Sequence, residues 1–221
     1  MDLIISLCAK IEKSISLDKQ CALVFFQLAF QLLARKSELI FFKDNPYLLK
    51  VEHVNFTFIQ LSPIIGEEFN VTCIEAHKFY INAAYDLHSV QIEIKDAKND
   101  QQGNSHRYSF DKRPSGYNNL KTFCIARTTF TWAVLSKPCR PRQLFLSFPI
   151  ENQNDTSKRT YPSEDLLRNL LKDEASFYGL DLKRVTLHSP RIGAATTLAV
   201  MGAADYIIKG AGRWASDCFQ R

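Results

Sequence analysis

Twelve residues in the first third of the chain, Ala22 to Leu33 (A-L-V-F-F-Q-L-A-F-Q-L-L), are apolar almost all round. A surface helix confines its apolar residues to one stripe, so a segment with no polar face must be covered on most sides. It predicts a central core helix, starting near Asp18, with the other elements packed around it. A chain of 221 residues with 46% hydrophobic content is long enough to supply that cover as one domain. The fold class this predicts is mainly α with a small antiparallel β-sheet, an α+β arrangement.

Around the core helix, Leu3 to Ile11 has helical spacing and reads as a first, half-buried helix. Tyr47 to Leu61 alternates as a strand or hairpin arm, and Ser89 to Ile94 and His106 to Phe110 read as the two arms of a hairpin turning at Ala97 to Gly103. Three strands are therefore expected at the edge of the helices. Leu120 to Leu135 reads as a helix, Pro138 to Arg142 as a rigid basic link, Leu144 to Phe148 as a short apolar strand, and Glu151 to Thr160 as a surface loop. Ser163 is placed to cap a helix running to about Tyr178 and stopped by Gly179. Pro63 to Leu87 has no clean period. Within it, Cys73 and His77 lack the further ligands that zinc requires, so packing is expected there and no metal site.

Composition narrows function more than fold. A net charge of +5 permits phosphate contacts. The six cysteines are scattered and form no C-x-x-C pair, which points to reduced, buried thiols and an intracellular protein. The start M-D-L-I-I-S-L-C-A-K is too short in apolar length for a signal peptide or membrane span, so no membrane association is expected.

Chemistry concentrates at two places. Arg35 stands three residues before Glu38 where the core helix emerges, a spacing that allows a hydrogen-bonded ion pair. Far along the chain, Leu187 to Arg221 opens with His188, Ser189, Pro190 and Arg191. Ser189 is a good N-cap and Pro190 suits the first helical position, so a helix is expected from Pro190. His188 and Arg191 then face an N-terminus that favours an anion. The same stretch closes on Gly212-Arg213-Trp214, and Lys98 lies at the tip of the expected hairpin.

Taken together, L-L-A-R-K-S-E-L, A-K-N-D-Q-Q-G, H-S-P-R and G-R-W resemble, in this order, the motifs of the tyrosine recombinase (phage integrase) catalytic domain. The tail is particularly similar to recombinases carried by eukaryotic tyrosine-recombinase transposons. The resemblance implies that family's catalytic-domain fold, a double-stranded DNA partner and a nuclear location if the source is eukaryotic. It implies strand cleavage and rejoining through a 3′-phosphotyrosyl intermediate, serving DNA recombination and integration, with no metal, other cofactor or small-molecule substrate. Arg35 and Arg191 would hold the phosphate, His188 would handle the nucleophile's proton, and Lys98 would protonate the leaving 5′-oxygen. Arg213 would add a phosphate contact, and Glu38 would orient Arg35.

The family spacing puts the nucleophilic tyrosine immediately after Arg221, and no tyrosine of residues 1–221 matches that position; Tyr206 falls in an expected helix as a packing residue. The expectation is thus a single domain, 1–221, without the family's N-terminal core-binding domain and ending before the nucleophile, with a homo-oligomer on DNA possible. Two other readings stand beside it: a non-catalytic DNA-binding remnant of a mobile element, and a helical interaction module unrelated to DNA.

Overall fold

The computed structural model describes residues 2–40, 47–61, 66–95, 105–112, 123–150 and 158–214. Helix α1 (Asp2–Glu12) buries Ile4, Leu7, Cys8 and Ile11, the one-sided pattern its spacing predicts. Helix α2 (Leu17–Gln31) is buried without interruption from Cys21 to Phe30. It lies against α1, against α4 (Ile125–Ser136) and against α6 (Ser189–Val200). The all-round apolar composition is therefore matched by cover on all sides.

The end of α2 aims the chain at the candidate site. The Leu33 N–H donates to Phe30 O at 3.3 Å and the Ala34 N–H to Ala29 O at 3.1 Å, the paired bonds of a Schellman closure. Leu33 takes the left-handed position of that motif, with φ at 46°. A β-carbon there costs about 1–2 kcal/mol relative to the right-handed region. Its side chain is 4% exposed, so burial offsets the backbone cost. Arg35 follows in extended conformation and leads into the single turn α3 (Lys36–Leu39).

One antiparallel sheet packs beside the helices. It contains β1 (Val54–Gln60), β2 (Glu68–Thr72), β3 (Tyr85–Lys95) and β4 (Ser105–Asp111), in the order β2-β1-β3-β4. Val54, Phe56, Phe58, Val90, Ile92 and Ile94 are buried, and the ring of Phe130 on α4 meets Phe56 at 5.5 Å and Phe58 at 5.3 Å edge-on. The sheet has four strands where three were expected. The additional one, β2, is a short edge strand in the stretch without clean period, and with a single buried residue, Val71, it gives almost no alternation to read.

Other differences have equally local causes. The strand expected over Leu144 to Phe148 shrinks to β5 (Phe148–Pro149), preceded by an isolated bridge between Leu144 and Lys50. Its partner β6 (Arg159–Thr160) lies within the segment read as a loop; residues 151–157 of that segment are outside the described residues. Helix α5 (Glu164–Phe177) follows expectation closely. Ser163 Oγ accepts from the Leu166 N–H at 3.1 Å, and Gly179 takes φ 67° at the far end. Lys10 Nζ reaches Glu174 at 2.6 Å and ties α5 to α1.

Helix α7 (Asp205–Gly212) buries Ile208 and leaves Tyr206 76% exposed. Tyr206 is thus no packing residue: it lies on the solvent side of a helix that buries the opposite face. Cys8, Cys21, Cys73 and Cys124 are buried free thiols, whereas Cys139 is exposed. Among the described residues no helix is long and apolar enough to cross a membrane.

Because Phe25 is completely buried at the centre of α2, Phe25→Ala is expected to lower the unfolding free energy by about 3–5 kcal/mol. Urea denaturation checks this, with the midpoint falling and the slope unchanged.

Candidate phosphate-binding site

The cluster is built on one carboxylate. Glu38, 2% exposed, stands on α3, one turn after the Schellman closure. Its Oε2 accepts the Arg35 backbone N–H at 2.7 Å, and its Oε1 accepts from Arg35 Nη1 at 2.9 Å. The same Oε2 accepts from Arg213 Nη2 at 2.7 Å. The i,i+3 pairing expected from spacing is present, and the carboxylate also reaches a guanidinium 175 residues away.

Arg213 arrives from the end of α7, where it takes the left-handed conformation at φ 55°. Its Nη1 donates to Leu32 O at 3.1 Å and to the Tyr108 hydroxyl, and its backbone carbonyl accepts from Arg35 Nη2 at 3.3 Å. The side chain is 1% exposed. Arg213 braces the cluster from behind, joining the exit of α2, the sheet and α7.

Arg191 lies in the first turn of α6 and is 1% exposed. Its Nη2 donates to Gly212 O, and its guanidinium lies 4.4 Å from the centre of the Trp214 ring, a cation–π contact. Gly212 makes this possible. A β-carbon there would fall 1.7 Å from the Trp214 ring, so only glycine lets the indole fold back across the end of α7.

His188 occupies the cap position of α6, one residue earlier than the expected start, and Ser189 is the first helical residue. The Ser189 hydroxyl is spent on the preceding turn instead, accepting the Thr186 N–H at 2.9 Å, while the His188 N–H donates to Thr186 Oγ1 at 3.2 Å. These crossed bonds fix the turn that carries the imidazole. His188 as a residue is exposed, yet surrounding atoms desolvate its ring. That desolvation, then the charges of Arg191 and Arg35, lower its pKa below the ordinary histidine value.

An open depression of about 390 Å³ runs beside these groups, lined by Arg35, Lys36, Ser37, Thr186 and His188 and flanked by Glu164 and Arg168. Lys36 Nζ is 2.9 Å from Glu164, which couples the Arg35 turn to the start of α5. The structure thus assembles Arg35, Glu38, His188, Arg191 and Arg213 from three distant parts of the chain. Lys98 lies outside the described residues. Among the described residues, no group of three or more His, Cys, Asp or Glu side chains is close enough to share a metal ion.

No known protein family's model matches this chain, and no curated protein matches it.

Tyr108 was not foreseen. It stands on β4, paired with Ile92 of β3, and places its hydroxyl between Arg213 and Ala211 O, 3.4 Å from the latter. Alternation identifies Tyr108 and Phe110 as residues of one sheet face, but no spacing relates position 108 to position 213. Its ring and that of Phe110 lie stacked, 6.4 Å apart.

What the arrangement can do follows from donor type. Arg35 is the most accessible guanidinium of the three, 20% exposed on its side chain, and presents forked donors held from behind by Glu38. Beside it, His188 favours its neutral form and can accept a proton. A phosphate entering the depression would meet both.

Removing the central carboxylate leaves two guanidiniums facing each other in a buried space. Glu38→Ala is therefore expected to cost about 3–5 kcal/mol of stability, measured by denaturant unfolding. For His188, whose native pKa is lowered, the unfolded chain binds the proton more readily. Its contribution to stability is accordingly neutral at high pH and becomes unfavourable as pH falls through the ordinary histidine range. Titration by NMR is expected to give a His188 midpoint below about 6.5, rising when a phosphate dianion binds beside it.

Proposed function

We propose that this chain binds DNA at a phosphodiester through the Arg35–His188 depression and is a catalytic domain of the tyrosine recombinase type, with that family's fold. The supporting observation is the convergence of Arg35, Glu38, His188, Arg191 and Arg213 on one small volume. These are the residues on which the motif resemblance rests, and they come from segments more than 150 positions apart.

In the proposed reaction a tyrosine oxygen attacks phosphorus in line, the new oxygen–phosphorus bond forms, and the bond to the 5′-oxygen breaks. Negative charge grows on the non-bridging oxygens, where fixed guanidinium donors are worth most. Arg35 supplies the accessible guanidinium, and Arg191 supplies a second once the Trp214 ring moves off it. His188, neutral beforehand, takes the proton of the attacking hydroxyl. Lys98 would return a proton to the 5′-oxygen. None of the eight tyrosines of this chain is assigned the nucleophile's part; Tyr206 and Tyr108, the two nearest the G-R-W box in sequence or space, are respectively solvent-facing and engaged by Arg213.

Binding and chemistry are tested separately. Fluorescence anisotropy with a short duplex across a salt series is expected to give a linear fall of log K with log salt, as counterion release requires. Arg35→Ala should weaken binding by roughly ten- to a hundred-fold, the worth of a charged hydrogen-bonded contact. Absence of binding at low salt would reject the DNA reading. For the chemistry, the chain continued by a tyrosine-bearing tail is incubated with a nicked suicide duplex. A covalent protein–DNA adduct lost in His188→Ala supports the recombinase assignment, and duplex binding without any adduct reduces it to a non-catalytic DNA-binding domain.

A further inference from the structure

A second cluster of arginines lies apart from Glu38 and takes no part in the site above. It occupies the turn between α4 and β5 together with β6, where a pocket of about 480 Å³ is lined by Arg140, Arg142, Gln143, Ser147, Arg159 and Tyr161, with Cys139 at its edge. Among the described residues, no carboxylate lines it.

Arg159 shows how the pocket is built. Its Nη2 donates to the carbonyls of Ser136 and Ser147, the latter at 2.7 Å, its Nε donates to Ser147 Oγ at 3.1 Å, and its Nη1 reaches Lys137 O at 3.4 Å. Two of those carbonyls belong to the end of α4, so part of its role is to cap that helix. Every acceptor it uses is neutral. Burial lowers its pKa below the ordinary arginine value, the cost of a guanidinium with no counter-anion among the described residues.

Arg140 and Arg142 have no such structural duty. Both are exposed, and neither side chain forms an ion pair or hydrogen bond among the described residues. Their backbone, by contrast, is held firmly. The Val51 N–H donates to Gln143 O at 2.8 Å, the Glu52 N–H to Pro141 O at 2.9 Å, and the Gln143 N–H to Arg140 O at 3.1 Å. Gln143 Oε1 accepts the Cys139 N–H at 3.2 Å, and Pro138 and Pro141 fix two further φ angles. Glu52, the acid brought beside this turn, keeps its carboxylate at 3.8 Å from His53. Two forked cations on a turn with a held backbone, lining one pocket with a third that has no counter-charge among the described residues, lose little freedom when an anion arrives.

From this geometry we infer that the Arg140–Arg142–Arg159 pocket is a second phosphate-binding site, built for a phosphate group that accepts from more than one guanidinium. The phosphate belongs either to a DNA backbone or to a free polyphosphate. The pocket shares no lining residue with the Arg35–His188 depression, so either can fail while the other stands.

The exposed Cys139 thiol provides a local readout. Its alkylation by iodoacetamide, followed by peptide mass spectrometry, is measured in the full chain, in Arg35→Ala and in the paired variant Arg140→Gln/Arg142→Gln. Both substituted arginines are exposed, so the fold should be retained, with circular dichroism as the control. Tripolyphosphate is expected to slow alkylation roughly ten-fold at saturation in the wild type and in Arg35→Ala, and to have no effect in the paired variant. Protection by a short duplex as well, with the paired variant reducing the salt slope of duplex binding by about two, assigns the phosphate to DNA. Protection by tripolyphosphate alone assigns it to a free polyphosphate. Alkylation indifferent to both probes, or equal protection in the paired variant, overturns the site.

Discussion

The Glu38 carboxylate, sealed between Arg35 and Arg213, is the contact on which the candidate site depends. It accepts three charged or backbone donors at 2.7–2.9 Å and is 2% exposed. In a buried space the attraction between such groups is strong, but so is the penalty for desolvating them, and only a nearly complete set of hydrogen bonds makes the arrangement tolerable. Glu38 meets that condition because α3 begins one residue after the α2 closure. Both its oxygens are then delivered to donors from the same turn and from the far end of the chain.

Arginine rather than lysine is required at each of these positions for a reason of shape. Arg213 spans Glu38, Leu32 O and Tyr108 with one planar group, and Arg191 sits 4.4 Å from the centre of the Trp214 ring while donating to Gly212 O. A lysine ammonium has three donors on a single atom and could not serve partners in such separate directions. The guanidiniums thus divide the work. Arg213 is buried against Glu38, Arg35 is the most accessible of the three, and Arg191 lies beside the Trp214 ring.

Much of this was legible in the sequence, for identifiable reasons. Ala22 to Leu33 announced a helix covered on all sides because composition alone decides that question. The pairing of Arg35 with Glu38 was legible because the two lie within one helical turn. The strand β2 was not, since an exposed edge strand of five residues has little alternation to display. Nor was the bracing role of Arg213, which depends on Leu32 and Tyr108, contacts that close only in three dimensions. Ser189 misled for a related reason. A serine before Pro-Arg is a plausible cap, but Thr186 three residues earlier claims its hydroxyl and moves the helix start back by one.

The Schellman closure at Leu33 has a consequence for how the site can move. Arg35 and Glu38 follow directly from the most deeply buried helix of the fold, so the amides that hold them belong to the most protected part of the chain. The Arg35 guanidinium can leave Glu38 by a side-chain rotation alone, whereas displacing the turn that carries both residues would unwind the last turn of α2. The Trp214 indole rests on Arg191 from outside, at the end of a helix of eight residues with a largely exposed surface. Arg213, the residue just before it, is pinned to Glu38, Leu32 O and Tyr108, so the indole that covers Arg191 is itself tethered to the α2 side of the site.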